Sequence, residues 1–322
     1  MRVLILNYET YTKKHIDNLN KKFSNIYLKN FKKKDSLINF LKNKKDNNEP
    51  INIIFTAFGI FYDSKITKYL DNKNRYLVSP TTSITHIARS EIQKDTNILY
   101  LDNKNFGSFL KQIPSTAELT VMLILMLYRK ALPATFSVKK NIWNRDAFVG
   151  NQIKDKKIGI VGYGRVGKIV CKILRSFGAK IFVYERKRNI TLKSYKSVSL
   201  KYIFSKCDIV SIHLDSSEKN FNFISKKYIS LMKKNSIFIN TSRGEVVEEK
   251  FLFSFLMKNK IAGVGLDVLQ GDSSWNKKIG NTKIKNLIKN KKLIITPHIG
   301  GNTEEASFKT KNEIIKKLLK MF

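Results

Sequence analysis

The stretch Lys157-Ile158-Gly159-Ile160-Val161-Gly162-Tyr163-Gly164-Arg165-Val166-Gly167 decides the architecture of this chain. An apolar strand runs into three glycines spaced G-x-G-x-x-G. Val166, Ile169, Val170, Ile173, Leu174 and Phe177 then recur at helical period, and Gly178 supplies a left-handed stop. The next apolar run, Lys180 to Tyr184, ends in Glu185, about 20 residues beyond the first glycine. Strand, glycine turn, helix, strand and acid in this order make a βαβ unit shaped for a dinucleotide. Gly162 allows the tight turn, Gly164 lets backbone approach a pyrophosphate, and Gly167 lets helix and strand pack closely. Arg165 and Val166 open the helix, where unpaired N–H groups favour phosphate. Glu185 suits the hydroxyls of an adenosine ribose and repels a 2′-phosphate, which favours NAD. Arg186, Lys187 and Arg188 follow at once and suit that phosphate, which leaves NADP open.

Working outward, short β-type runs alternate with helical segments along the whole chain, the pattern of parallel sheets with crossover helices. A first unit has strands expected at Arg2–Leu6, Asn52–Phe55, Tyr76–Ser79 and Asn97–Leu101. A second has them at Lys157–Val161, Lys180–Tyr184, Ile209–Leu214, Ser236–Asn240, Ala262–Asp267 and Leu293–Thr296. The fold class is therefore α/β, with two Rossmann-like or flavodoxin-like domains, each a doubly wound parallel sheet. Between the units, Ser115-Thr116-Ala117-Glu118 has capping-box spacing, with Ser115 expected as the cap, and an almost wholly apolar helix follows to about Tyr128. A segment from Thr303 to Leu319 is expected to close the chain as an amphipathic helix.

Composition narrows the function classes. The 322 residues are 42% hydrophobic, enough for two cores. The longest apolar stretch, Leu119 to Tyr128, is well short of the roughly 18 residues that cross a bilayer, so no membrane span is expected. The first residues lack a signal-peptide core, and Cys171 and Cys207 lack the spacing of a disulfide framework or zinc site, which points to the cytoplasm and to no metal. There are 61 Lys plus Arg against 25 Asp plus Glu, a net charge of +36. Every fifty-residue block is positive and no nucleic-acid-binding motif accompanies the excess, so a nucleic-acid partner is not expected.

Three further segments place polar groups at the carboxyl ends of expected strands, where doubly wound sheets bind ligands. They are Asn240-Thr241-Ser242-Arg243-Gly244, Gly263 to Asp272 with Asp267 at the strand end, and Thr296-Pro297-His298-Ile299-Gly300-Gly301. With the glycine fingerprint, these resemble the D-isomer-specific 2-hydroxyacid dehydrogenases, D-3-phosphoglycerate dehydrogenase-like, from about Ser115 to Ala306. The resemblance implies an NAD-dependent oxidoreductase that moves a hydride between the cofactor and a small D-2-hydroxy acid or 2-keto acid. It implies that Arg243 holds the substrate carboxylate and polarises the carbonyl, that His298 is the proton donor or acceptor, and that Asp272 is its carboxylate partner. Thr241 and Asp267 fall where the family contacts the cofactor. Such a set suits the reaction: charge grows on oxygen as hydride reaches carbon, and a guanidinium and an imidazolium both favour that transition state.

The sequence departs from the family in three places. Asp272 stands where Glu is usual and is followed by Ser273 instead of Pro. Asp215, in Ile212-His213-Leu214-Asp215, replaces the Pro that usually follows. Ser83, in the loop Ser79 to His86 that resembles the family's substrate-carboxylate loop, stands where Gly is common. The resemblance also implies a discontinuous substrate-binding domain, residues 1–101 plus 302–322, an NAD-binding domain, residues 102–301, an active cleft between them, and a homodimer formed through the apolar helix after Ser115. An alternative reading is a non-enzymatic protein of the same fold that senses NAD(H) and presents a surface to partners.

Overall fold

The computed structural model describes residues 1–186, 195–271 and 287–322. They fall into two units, one of residues 1–112 and 302–322, the other of 113–271 and 287–301.

The first unit is built on a five-stranded parallel sheet: β1 (Arg2–Leu6), β2 (Asn25–Lys29), β3 (Ile53–Phe55), β4 (Arg75–Ser79) and β5 (Thr96–Tyr100), in the order β2-β1-β3-β4-β5. The central strands are apolar at successive positions because helices cover both faces. Val3, Ile5, Ile53 and Phe55 join Leu19, Phe106, Ile314 and Leu318 in one core, while Leu4, Leu6 and Ile54 join Leu37, Leu41 and Ile66 in the other. The closing helix Glu304–Leu319 begins where Thr303 Oγ1 accepts the Ala306 N–H at 3.2 Å. Its Ile314, Ile315 and Leu318 are fully buried against this sheet, so the chain returns to the unit it started from. The first segment of this unit runs to Gln112, and the helix Asn103–Leu110 buries Phe106 and Leu110 in the same core.

The second unit carries seven parallel strands, β6 (Lys157–Val161), β7 (Lys180–Tyr184), β8 (Lys196–Ser197), β9 (Ile209–Ile212), β10 (Ile237–Asn240), β11 (Gly263–Leu266) and β12 (Leu293–Ile295), in the order β12-β11-β10-β9-β6-β7-β8. The strand order reverses beside β6, whose Ile158 faces Ile181 of β7 on one side and Ile209 of β9 on the other. Ligands bind at such a switch point, at the carboxyl edge, in open α/β sheets. The helix Ser115–Tyr128 buries Ala117, Val121, Leu123 and Ile124 on one face of this sheet. Its start differs from expectation. Pro114 occupies the cap position, Ser115 is the first helical residue, and the Ala117 N–H goes to the Pro114 carbonyl at 2.7 Å.

Two strands escape the sequence reading, and both lie at a sheet edge. β2 reads Asn-Ile-Tyr-Leu-Lys with no buried residue, and β8 is two exposed residues long. Edge strands need no apolar face on both sides, so no periodicity marks them.

Candidate active site

The seven strands of the second sheet run parallel, so every turn that follows a strand lies at one edge. Gly162 and Gly164 follow β6, Glu185 follows β7, Thr241 and Arg243 follow β10, Asp267 follows β11, and His298 stands three residues after β12.

Sterics explain the glycines. Gly162 has φ +99°, and a Cβ there would sit 2.4 Å from the His213 carbonyl oxygen. At Gly167 a Cβ would come within 2.2 Å of the Gly162 carbonyl oxygen, so glycine is what allows the helix Arg165–Ser176 to start against the turn. Gly164 is different: a Cβ there meets nothing within 4 Å. It caps the helix with its backbone open to whatever approaches the helix amino terminus. Val166 is half-buried and packs on the core of this unit, while Arg165 reaches back to the Ile113 carbonyl at 3.3 Å, partial burial pulling its pKa down. Glu185 Oε2 accepts the Tyr163 N–H at 2.8 Å, which holds the carboxylate beside the glycine turn.

The next residue is held elsewhere. Arg186 Nη2 donates to Asn220 Oδ1 at 2.9 Å, with its guanidinium 4.7 Å from the Phe223 ring centre. Asn220 in turn donates to Asp215 Oδ1 at 2.7 Å and to its carbonyl at 3.1 Å. Asp215, at the position of the family's usual proline, therefore fixes the residue that fixes Arg186. Lys187 and Arg188 lie outside the described residues.

Arg243 stands on a turn built by Asn240. The Asn240 Oδ1 accepts the Ser242 N–H at 3.0 Å and its hydroxyl at 2.7 Å, and its Nδ2 donates to the Arg243 carbonyl at 2.8 Å. Asn is suited to this local bonding. The half-buried Arg243 side chain turns Nη1 to the Ser242 carbonyl at 2.6 Å. Thr120 spends its proton on the Thr116 carbonyl at 2.7 Å, so the Thr241 hydroxyl, 2.7 Å away, is the donor between the two threonines. The predicted cofactor contact Thr241 is thus tied to the helix Ser115–Tyr128.

The Arg243 turn packs against the loop that leads to Asp272. A Cβ on Gly244 would lie 2.1 Å from the Leu269 carbonyl carbon. Glu249 Oε1 accepts the Gln270 N–H at 2.7 Å, and Glu245 Oε1 accepts the Gly271 N–H at 3.3 Å. These two acids were not singled out in the sequence, where nothing distinguishes them from surface charges. Asp272 itself lies outside the described residues.

His298 has φ 55°, a left-handed backbone that costs a non-glycine residue free energy and persists only when its surroundings impose it. The imposing group is Asp267. Its carbonyl accepts the His298 N–H at 2.8 Å, its Oδ1 accepts the Thr296 hydroxyl at 2.6 Å and the Ile299 N–H at 2.8 Å, and its Oδ2 accepts the Gly300 N–H at 2.7 Å. Burial pushes the Asp267 carboxyl pKa up, against the pull of those three donors. His213, by contrast, is a framework residue: Nε2 lies 2.9 Å from Ser211 Oγ, and burial lowers its pKa to about 3.

Residues 121–300 match the model of the D-isomer specific 2-hydroxyacid dehydrogenase, NAD binding domain. The chain belongs to the D-isomer specific 2-hydroxyacid dehydrogenase family. It is similar to a glyoxylate reductase of Thermococcus litoralis, 30% identical over 259 residues that make up 76% of each chain. It is also similar to a D-3-phosphoglycerate dehydrogenase of Haemophilus influenzae, 33% identical over 67% of this chain but only 52% of that one. Among solved structures, the D-lactate dehydrogenase of Aquifex aeolicus complexed with NAD and lactic acid superposes with a TM-score of 0.77 at 22% identity, over 99% of this chain and 95% of that one. The likeness at that identity concerns the fold, and the expected α/β class with two parallel sheets holds. Family membership makes the chain an NAD(P)-dependent oxidoreductase of the class that acts on CH–OH groups, interconverting 2-keto acids and D-2-hydroxy acids. Among the described residues, no single helix is long and apolar enough to cross a membrane.

Proposed function

We propose that this chain reduces a small 2-keto acid to the D-2-hydroxy acid, with residues 113–301 holding the dinucleotide and residues 1–112 with 302–322 contributing the substrate-binding domain. The observation that carries the reading is the single sheet edge that presents the Gly162–Gly164 turn, Arg243 and His298 together, with His298 in a backbone conformation that needs an external cause. The open face of Gly164 and the carboxylate of Glu185 beside the same turn fit a dinucleotide: the helix amino terminus meets the pyrophosphate and Glu185 the adenosine ribose. NADH, when bound, supplies the hydride. Arg243 then binds the substrate carboxylate and draws electron density from the carbonyl, and His298 donates a proton to the carbonyl oxygen as negative charge grows there. Asp272 is the acid assigned to orient His298. NAD is the preferred cofactor, since Glu185 repels a 2′-phosphate and the Arg186 guanidinium is already engaged by Asn220 and Phe223.

The working form is a homodimer. Phe136, Val138, Ile142, Trp143 and Val149 are all at least half exposed within one short span that follows the apolar helix, with Trp143 at 88%. A second copy of this chain seated on this span would take that apolar surface out of water. Both cysteines are buried and free, which fits a reducing cytoplasm.

The deciding experiment mixes the purified protein with NADH and a panel of 2-keto acids while nicotinamide absorbance is followed. Turnover supports the reading; NADH binding without turnover of any acid overturns it in favour of a sensor of the same fold.

A further inference from the structure

Glu185 and Arg186 are neighbours in the sequence with opposite meanings for a dinucleotide: the acid suits a ribose 2′-hydroxyl, the guanidinium a 2′-phosphate. Which of them governs depends on where the Arg186 side chain is kept. Its Nη2 donates to Asn220 Oδ1 at 2.9 Å, and its guanidinium carbon lies 4.7 Å from the Phe223 ring centre, although the residue is exposed. Asn220 is the fixed point of this arrangement. It is buried, and its own N–H donates to the Ser217 carbonyl at 2.8 Å. A guanidinium only donates and a carboxylate only accepts, so the Asn220 amide serves both neighbours in one orientation alone, Nδ2 toward Asp215 and Oδ1 toward Arg186. Asp215 Oδ1 takes that Nδ2 at 2.7 Å, together with the Ser217 hydroxyl at 2.6 Å and the Ser217 N–H at 3.1 Å. Hydrogen bonds, led by that of the Ser217 hydroxyl, hold the Asp215 carboxyl below its usual range, so it remains an acceptor through neutral pH. The proline usual at this position in the family offers no such oxygen.

Resting on the dinucleotide reading above, we propose that Asp215 and Asn220 set the cofactor specificity of this enzyme by keeping Arg186 on Phe223, so that a 2′-phosphate recruits the guanidinium only by breaking that tether. NADH needs no cation at its 2′-hydroxyl and leaves the tether whole. NADPH binds in proportion to the small population in which Arg186 is released, and its affinity is lowered by that fraction. Asp215 and Asn220 are positioning residues, and Arg186 is the group they withhold. Lys187 and Arg188 lie outside the described residues and stay unchanged in every variant of the test.

The test is fluorescence titration of the full chain with NADH and with NADPH at physiological ionic strength, where the field of the +36 net charge is screened. The quantity read is the ratio of the two Kd values. Asn220→Leu keeps the size of the side chain and removes the acceptor, and is expected to shift the ratio toward NADPH about tenfold, the scale of one hydrogen bond to a charged group. Adding Arg186→Gln to that variant is expected to return the ratio to the parent value. Asp215→Ala, at an exposed position, is expected to shift it the same way by about threefold, because the residue 215 carbonyl still takes Asn220 Nδ2 at 3.1 Å; it serves if the buried Asn220 variant fails to fold. An unchanged ratio in folded variants overturns the proposal, as does a gain that persists without Arg186. A fall in NADH affinity with no gain for NADPH also overturns it, and gives the tethered Arg186 a part in holding the adenosine. Failure of the parent to bind either dinucleotide overturns the dinucleotide reading itself, and this proposal with it.

Discussion

Asp267 holds His298 in place through the main chain: its carbonyl takes the His298 N–H at 2.8 Å while its carboxylate takes the N–H groups of Ile299 and Gly300 at 2.8 and 2.7 Å. The left-handed φ of 55° at His298 is thus imposed by a buried carboxylate with all its strong contacts inside the turn. Asp267→Asn replaces one accepting oxygen by an NH2 group that must face a donor. Leaving such a buried donor pair unmatched costs about 1–3 kcal/mol. The expected outcome is a lowered Tm together with a fall in kcat, read by thermal melts and NADH oxidation on the same preparation. Loss of activity with unchanged Tm would give Asp267 a direct role at the cofactor instead.

The three fingerprint glycines are expected to separate by function. Gly162→Ala combines a positive φ with a contact of 2.4 Å to the His213 carbonyl, and is expected to cost about 3 kcal/mol or more and to impair folding. Gly164→Ala meets nothing within 4 Å, so its cost should be confined to the poorer helix cap, about 1 kcal/mol or less. Its NADH affinity should nevertheless fall at least about tenfold, because the added methyl occupies the space through which a pyrophosphate approaches the backbone. Fluorescence titration with NADH checks this, and unchanged affinity would remove the dinucleotide from that turn.

These glycines also show why part of the architecture is legible in the sequence. A residue whose Cβ would strike a neighbouring backbone leaves a trace in the sequence, and Gly162 and Gly167 are such positions. Asn240 is legible for a related reason, since its bonds to Ser242 and Arg243 stay within three residues of chain. The Asp267 clamp is not: its partners at 296, 299 and 300 lie some thirty residues away, and only the pairing of β11 with β12 brings them together. The same holds for Glu249 and Glu245, whose partners at 270 and 271 are reached through tertiary packing. At Ser115 the spacing to Glu118 satisfies a local capping rule, yet Pro114 takes the cap position.

Arg243→Ala is expected to abolish keto-acid turnover, with a loss of at least about a hundredfold in kcat/KM for a charge that acts on the reacting carbonyl. NADH affinity should change by no more than about threefold, since the side chain is assigned to the substrate. The Asn240 bonds to the Arg243 main chain do not depend on its side chain, so the turn should survive. Equal losses in turnover and in NADH binding would reassign Arg243 to the dinucleotide.

Asp272 tests the transfer of the family's acid to a shorter side chain. Asp272→Asn should slow turnover near neutral pH, because a neutral amide no longer orients and supports the charged imidazole. Asp272→Glu should keep or raise activity by restoring the usual reach. If both variants match the parent in kcat across the pH range, Asp272 has no part in the reaction, and His298 works alone or with another acid.

The buried histidines set the acid limit of the fold. Burial lowers the His86 pKa from 6.5 to about 4, and lowers that of His15 as well. His15 spends both ring nitrogens on structure: Nδ1 accepts the Thr12 N–H at 3.0 Å and Nε2 donates to the Phe308 carbonyl at 3.1 Å, joining the start of one helix to the closing helix. An imidazole harder to protonate in the fold than in the unfolded chain takes up its proton on unfolding. The unfolded state therefore binds more protons once pH drops below the ordinary histidine value, and stability falls with pH until the folded value is reached. For His86 the window runs from pH 6.5 down to about 4, a loss of about 3 kcal/mol across it at about 1.4 kcal/mol per unit. Above about pH 8 these groups are neutral in both states and contribute no slope. Denaturant midpoints measured between pH 7.5 and 4.5 should show this decline, and His86→Phe, which keeps an aromatic ring beside Phe58 and Tyr62, should flatten it by about one proton. The same slope in the variant as in the parent would mean that His86 is protonated inside the fold, with its unpartnered Nδ1 carrying the charge.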